Sequence, residues 1–400
     1  PRAPDLLSDI SKRTFNYFWE FAHPETGLVL DKYIDQAVAS IAATGFGLAA
    51  LPIGVEKGWI TRAQGKERAR KTLNSFASGL VEGKNGFFMH WVNRRTGKGV
   101  WGREISSIDT ALFIAGAIVA GEYFDGEIKE RAEDLYKAID WPWMTDGGVT
   151  LRMGWTEEKG FTNDRWGDRF DEGLLATLLA MGSPTHLIDP AAWDAIDRSV
   201  EHTNPYTGET HIALEAETLF VYQFPLIFFD LRNTTDRHGI DYFNNAIKAT
   251  KYNRDYTMKT RVSDYGVYGE VWGLSAEDKP YSDYHAYGAD PSSREDGTIA
   301  PYASVSALPF LPEEAMASIK AMVNNFPRVY DKYGFHAGFN LIHEWVEELG
   351  PWYSDNYIGI DQGAILLSIA NYQSELVWEY FMKNPYVLEA VRLAGFDKYQ

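Results

Sequence analysis

The chain has 400 residues, 45% hydrophobic and 24% charged, the balance of a globular protein large enough to bury a sizeable core. Its formal net charge of −18 works against a nucleic-acid partner, because phosphate is repelled over most of the surface, and suits a neutral ligand. Without cysteine there can be no disulfide, thiolate nucleophile or cysteine-based zinc site, and no apolar run reaches the roughly 20 uncharged residues of a membrane span. The numbering starts at Pro1 with no signal-like segment, which gives the expectation of a mature, exported chain, periplasmic or secreted.

Two kinds of helical segment alternate along the sequence. Segment 5–22 is amphipathic and 37–52 almost wholly apolar. The alternation continues through 61–81 and 106–121, 127–139 and 173–182, 191–200 and 218–229, 236–251 and 298–309, and 312–325 and 363–372, with a closing helix over 375–394. In 61–81, Leu73, Phe76 and Leu80 recur at the three- and four-residue spacing of a surface helix. A stretch such as Ala111-Leu-Phe-Ile-Ala-Gly-Ala-Ile-Val-Ala120 is apolar all round, as a helix buried on every side must be.

The connections alternate as well. Those leading from an apolar to an amphipathic segment are short, whereas 23–36, 82–105, 140–170, 201–213, 252–297 and 326–358 are mostly long. Antiparallel neighbours place all connections of one kind at one end. The pattern therefore predicts an all-α fold, an (α/α)6 barrel of six inner and six outer helices with long loops on one face, forming a single domain over residues 1–400. A helical-repeat solenoid is disfavoured because the segments share neither a fixed length nor a motif.

Each apolar segment is introduced by an acid: Asp35, Glu104 with Asp109, Asp171 with Glu172, Glu215, Asp296 and Asp361. On the predicted fold these gather at one pole. Ser106 or Ser107 can cap its helix, with Asp109 in the first turn, where an acid also complements the helix dipole. Glu104 lies before the cap. Asp171 and Asp361 can serve as caps or face the mouth, Glu172 as a first-turn acid or a carboxyl aimed inward, and Asp296 reads as structural.

Nine of the 13 tryptophans fall in the long connections: Trp91, Trp101, Trp141, Trp143, Trp155, Trp166, Trp272, Trp345 and Trp352. Tyr268, Tyr281, Tyr284, Tyr287, Tyr353 and Tyr357 join them. Some must build satellite cores under the loops. The rest suit a cleft for sugars, whose apolar C–H faces stack on flat rings. Cleaving a glycosidic bond needs one protonated and one ionised carboxyl, and burial with mutual repulsion drives such groups apart in proton affinity. Neither His-Glu-x-x-His, a calcium loop, a Walker or dinucleotide motif, Gly-x-Ser-x-Gly nor an Asp-Asp pair occurs, so no cofactor or metal is expected.

Several segments resemble the bacterial glycoamylase-like family. They are Ser40-Ile-Ala-Ala-Thr-Gly-Phe-Gly-Leu48, Glu104-Ile-Ser-Ser-Ile-Asp-Thr110, Gly182-Ser-Pro-Thr-His186, Trp272-Gly-Leu-Ser-Ala276, Asp296-Gly-Thr-Ile-Ala-Pro301, Gly359-Ile-Asp-Gln-Gly363 and Asn371-Tyr372. The resemblance runs from about Phe15 to Phe396. It implies an (α/α)6 barrel and a glycoside hydrolase, most of all an inverting endo-β-1,2-glucanase, with Glu104, Glu172 and Asp361 aligned to functionally important acids. The expectation is that Glu172 acts as general acid while Glu104 or Asp361 positions or activates water. Arg103, Asp109, Trp101, His90, Trp166, Asp171, Trp272 and Tyr284 would line the substrate, an oligo- or polysaccharide. The alternatives are a non-catalytic glycan-binding protein, or an α-glucan hydrolase, polysaccharide lyase or sugar epimerase on the same barrel.

Overall fold

The computed structural model describes residues 3–281, 284–343 and 346–399. Its centre is a closed ring of helices in chain order: Ile41–Glu56, Ser107–Phe124, Leu174–Gly182, Phe220–Phe228, Pro301–Val305 and Gly359–Ser374. Each packs on the next and the last returns to the first. Between Phe220–Phe228 and Pro301–Val305 the link is a hydrogen bond from Gln223 Nε2 to the Ala303 carbonyl, 2.8 Å. These are the segments apolar on all sides, and they are buried on all sides. Ser107–Phe124 is long and apolar enough by composition to cross a membrane, yet 89% of it is buried inside the barrel.

Glycine lets the first two inner helices touch backbone to backbone. A Cβ on Gly116 would lie 1.8 Å from the Gly45 carbonyl oxygen, and one on Gly45 would lie 2.5 Å from that of Leu112. Amphipathic helices Ala3–Phe21, Arg62–Ala77, Glu127–Lys137, Tyr242–Asp255 and Pro312–Asn325 form the outer layer. In Glu127–Lys137, buried Ile128, Ala132, Leu135 and Tyr136 make one stripe facing inward. The architecture is the expected (α/α)6 barrel.

Three predicted helices differ. Segment 191–200 is helical only over Ala191–Asp194. Arg198 donates from its guanidinium to the carbonyls of Trp193 and Ile196, and the Asp197 amide bonds instead to Gly167, so the helical ladder cannot continue. The outer face of Leu174–Gly182 is covered by Pro385–Leu393. The closing helix is two, Leu376–Phe381 and Pro385–Leu393, because Asn384 caps a new start by accepting from the amides of Tyr386 and Val387. Segment 298–309 is α-helical only over Pro301–Val305, followed by turns.

The long connections carry short antiparallel strands. A five-stranded sheet orders Gly83–Lys84, Phe87–Met89, Ile105–Ser106, Gly154–Thr156 and Gly160–Phe161. Two-stranded pairs join Val38–Ser40 to Trp91–Asn93, Ala276–Asp278 to Tyr284–Ala286, and Phe339–Asn340 to Trp352–Tyr353. All of these lead into the N-terminal ends of inner helices, so they lie together over one end of the barrel.

Candidate active site

The site is assembled by what precedes each inner helix. Ser106 caps Ser107–Phe124 by accepting from the Asp109 amide at 3.2 Å, and its hydroxyl donates to Asp109 Oδ2 at 2.5 Å. Asp109 is thereby fixed in the first turn, and its other oxygen lies 3.3 Å from His90 Nε2. The His90 ring is stacked on Trp91, centroids 3.4 Å apart. Glu104, just before the Ile105–Ser106 strand, lies over Gly154, where a Cβ would come 2.2 Å from its Oε1. Burial raises the Glu104 carboxyl above its usual range, with His90 opposing and Asp109 reinforcing the shift.

Asp171 and Glu172 occupy the turn before Leu174–Gly182. Asp171 does not cap that helix, whose N-cap is Gly173. Its Oδ1 accepts from the Gly173 amide at 3.0 Å within the turn, and its buried Oδ2 has no hydrogen-bond partner among the described residues. Burial raises both carboxyls, and for Glu172 the adjacent Asp171 and then Asp109 push further in the same direction.

Asp361 sits in the first turn of Gly359–Ser374 and caps nothing; the cap position is Ile358. It is 1% exposed and, among the described residues, neither oxygen meets a hydrogen-bond donor. Burial, then Asp278 and Asp31, hold its pKa well above the ordinary carboxylate value, while Lys32 works in the opposite sense. Glu277, 0% exposed and likewise unpartnered at both oxygens, is raised by burial and by Asp361. Gly338 makes room for it, since a Cβ there would fall 2.1 Å from Glu277 Oε2.

These groups form one electrostatic arc. Glu172 feels Asp109; Asp109 acts on Glu104 and Asp31; Asp31 and Asp278 act on Asp361; and Asp361 acts on Glu277. Glu104, Glu172 and Asp361 therefore share one end of the barrel. A cationic counterweight sits beside them: Lys32 Nζ is 2.8 Å from Asp278 Oδ1 and 5.2 Å from the Tyr284 ring centroid. Tyr284 is 43% exposed at the rim, within electrostatic reach of Asp361 and Asp31. Among the described residues, no group of three or more acids and histidines is disposed to hold a metal ion.

The aromatic lining needs correction. Trp272 is fully buried, its indole N–H 3.4 Å from the Glu314 carbonyl, and presents no face to a ligand. Trp166 is also buried; it donates to Ser107 Oγ at 2.7 Å and props the 171–173 turn. Trp141, Tyr268 and Tyr287 are satellite core. Trp345 lies outside the described residues. Rings that are exposed include Trp101, which meets Trp91 edge-on, with Tyr33, Tyr281 and Tyr284. Arg103 turns outward to pair with Glu82. Asp296 is structural as expected, accepting from Tyr287, Thr298 and Asn340.

Glu215 is exposed, and the buried acid of its connection is Glu217. Asp31, Lys32, Glu277 and Asp278 were not singled out from the sequence. For Glu277 and Asp278 a signal existed: they directly follow the apolar run Val271-Trp-Gly-Leu-Ser-Ala276, which carries them into the interior.

Solved structures are similar to this chain along its whole length. A putative glucoamylase from Bacteroides uniformis superposes with a TM-score of 0.91 at 28% identity, covering 99% of this chain and 98% of that one. An endo-β-1,2-glucanase from Chitinophaga pinensis, solved with sophorotriose and glucose, gives 0.90 at 26% identity with full coverage of both chains, 100% each. Among curated proteins, an exo β-1,2-glucooligosaccharide sophorohydrolase (non-reducing end) from Parabacteroides distasonis is 26% identical over 97% of this chain, which spans only 57% of that relative's length. The glycoamylase family, described as putative glucoamylase, matches residues 165–385, more than half of the sequence, and the chain belongs to that family.

Proposed function

We propose that this protein is a glycoside hydrolase that cleaves β-1,2-linked glucan by carboxylate acid/base catalysis with inversion. The observation that carries the reading is the arc itself: three acids from distant parts of the chain, Glu104, Glu172 and Asp361, share one electrostatic neighbourhood at the loop-bearing end of the barrel. Relatives named for β-1,2-glucan and its oligosaccharides supply the linkage.

The chemistry follows from the environments. Burial and Asp171 keep the Glu172 proton in place toward neutral pH, so Glu172 is the donor to the leaving oxygen. Water must be held and activated on the other side of the sugar. Glu104, with His90 favouring its ionised form, is the group to activate it, and Asp361, raised in pKa and with two oxygens free of donors among the described residues, can position it. Trp101 and Tyr284 offer exposed faces to sugar rings. A polymeric glucan does not cross a bilayer unaided, so the same reading places the enzyme in the periplasm or outside the cell.

The test is incubation with linear β-1,2-glucan, followed by chromatography of the oligosaccharides released. Cleavage by the unmodified protein and its loss in Glu172→Gln are expected. No cleavage, or full activity in Glu172→Gln, overturns the assignment, and calorimetric binding without turnover would make the protein a glycan-capture module. Product length separates release of disaccharide units from internal cutting.

A further inference from the structure

Next to the carboxyl arc lies a cavity of about 530 Å³, lined by Lys279, His285, Tyr287, Arg294, Asp296 and His343. That is the size of a small-ligand site. Its charge runs against the rest of the molecule, which carries −18 overall. Lys279 and Arg294 are exposed and, among the described residues, neither makes an ion pair. The acid of the lining, Asp296, is already engaged. One oxygen accepts from the Tyr287 hydroxyl at 2.7 Å, and the other from the Thr298 hydroxyl at 2.5 Å and amide at 3.1 Å. The cavity therefore presents two cations with no carboxylate assigned to them.

Its position follows from the strand Ala276–Asp278. Glu277 is sent into the barrel, Asp278 is paired with Lys32, and Lys279, the next residue, leaves the strand toward solvent. Asp296, also in the lining, lies within electrostatic reach of Glu277, so the cavity borders the arc. Arg294 is placed by a pinned turn. The buried Ser293 hydroxyl donates to the carbonyls of Gly288 at 2.8 Å and Asp290 at 2.7 Å, and Arg294 follows at φ 54°, in the left-handed region that disfavours a side chain. A planar guanidinium and a compact ammonium in one recess match phosphate or carboxylate oxygens.

Resting on the glucan reading above, the geometry points to this cavity as a subsite for an anionic substituent, a phosphate ester or an ester-linked carboxylate, carried on a glucose unit bound in the adjacent cleft. A 1,2-linked glucose leaves its O3, O4 and O6 free to bear such a group. The neutral chain is held by the cleft; Lys279 and Arg294 add affinity only when the substituent is present.

The experiment compares length-matched β-1,2-glucan that is unsubstituted, partly succinylated or partly phosphorylated, using the wild type and the Lys279→Ala/Arg294→Ala double variant. In the wild type, KM for the charged glucans is expected to be about tenfold below that for the neutral one, the effect of a single charge-assisted contact. The double variant removes that preference and leaves hydrolysis of neutral glucan unchanged. Equal KM values in the wild type, or a preference that survives the double substitution, overturn the inference. Failure to cut any of the three glucans instead overturns the functional reading. Calorimetry then still decides the subsite: succinylated and phosphorylated sophorose must bind more tightly than sophorose, and only to the wild type. Inorganic phosphate binding as tightly as phosphorylated sophorose would make this a free-anion site and sink the substituent.

Discussion

Buried acids on the loop face are treated in two opposite ways. Glu217, 1% exposed, is well partnered: it is hydrogen-bonded to His211 Nε2 at 2.8 Å through one oxygen and to the Tyr222 hydroxyl at 3.0 Å through the other, and His202 Nδ1 lies 2.7 Å from the first as an ion-pair partner. Burial alone would raise its pKa, but the two histidines hold it below the ordinary value. Asp361 and Glu277 are as deeply buried and receive no donor from the protein, so burial drives their pKa values up. A buried charge with a full set of partners is a finished piece of structure; a buried carboxyl without them is a group whose partners come from outside, as water or sugar hydroxyls do.

The largest expected effect lies on the unfinished side. Glu172→Gln should lower the hydrolysis rate by about 10²–10⁴ with an unchanged thermal unfolding midpoint, as measured by product release alongside calorimetry. Asp361→Asn should also lose activity while remaining folded, because the uncharged amide matches the shape of a buried acid whose ionisation burial disfavours. On the finished side the order reverses. Glu217→Ala leaves His202, His211 and Tyr222 without their acceptor and should cost about 3–5 kcal/mol in denaturant unfolding. Any activity loss there should track the unfolded fraction.

Glu277→Gln sharpens the contrast further. At pH 8 it should be neutral or stabilising by about 1 kcal/mol, since it replaces an acid that resists ionisation by an uncharged group of the same shape.

The pH dependence has a definite sign. Folded-state values of Asp361, Glu277, Asp171 and Glu172 are raised, so their contribution is complete below the ordinary carboxyl values of 3.8–4.5 and is lost as pH rises through the folded values. Glu217 is depressed, and its contribution is present above 4.5 and lost as pH falls. His202 is raised, chiefly by its hydrogen bond to Glu217, so its share holds below 6.5 and fades above. The unfolding midpoint should therefore peak in mildly acid solution and decline toward pH 8, with a shallower decline in Glu277→Gln. Activity should fall on the alkaline side as Glu172 loses the proton that its proposed role requires.

The barrel was readable because its inner helices are apolar around their whole circumference, a pattern few other positions in a fold allow; the core of 107–124 is the clearest case. Capping by Ser106 was readable for the same local reason. Helix 191–200 failed on a long-range event, the capture of its carbonyls by Arg198 and of the Asp197 amide by Gly167. Of the site, the acids next to inner helices could be found from their position, and the structure brings Glu104, Glu172 and Asp361 together. Glu277 and Asp278 were harder to place: the apolar run before them marks them as buried, but they reach the arc from a strand in the middle of a 46-residue connection, 252–297, and local spacing does not report which end of the barrel that strand meets. Trp272 was misplaced because loop aromatics pack under loops as readily as they line clefts.

The central claim is that the unpartnered carboxyls keep their protons and await substrate. Infrared difference spectroscopy of the protonated carboxyl C=O stretch, at neutral pH with and without a β-1,2-glucan oligosaccharide, tests it most directly. The account predicts bands that vanish singly in Asp361→Asn and Glu277→Gln, the Asp361 band shifting when the oligosaccharide binds. Bands absent at neutral pH, or unmoved by bound oligosaccharide, would contradict it.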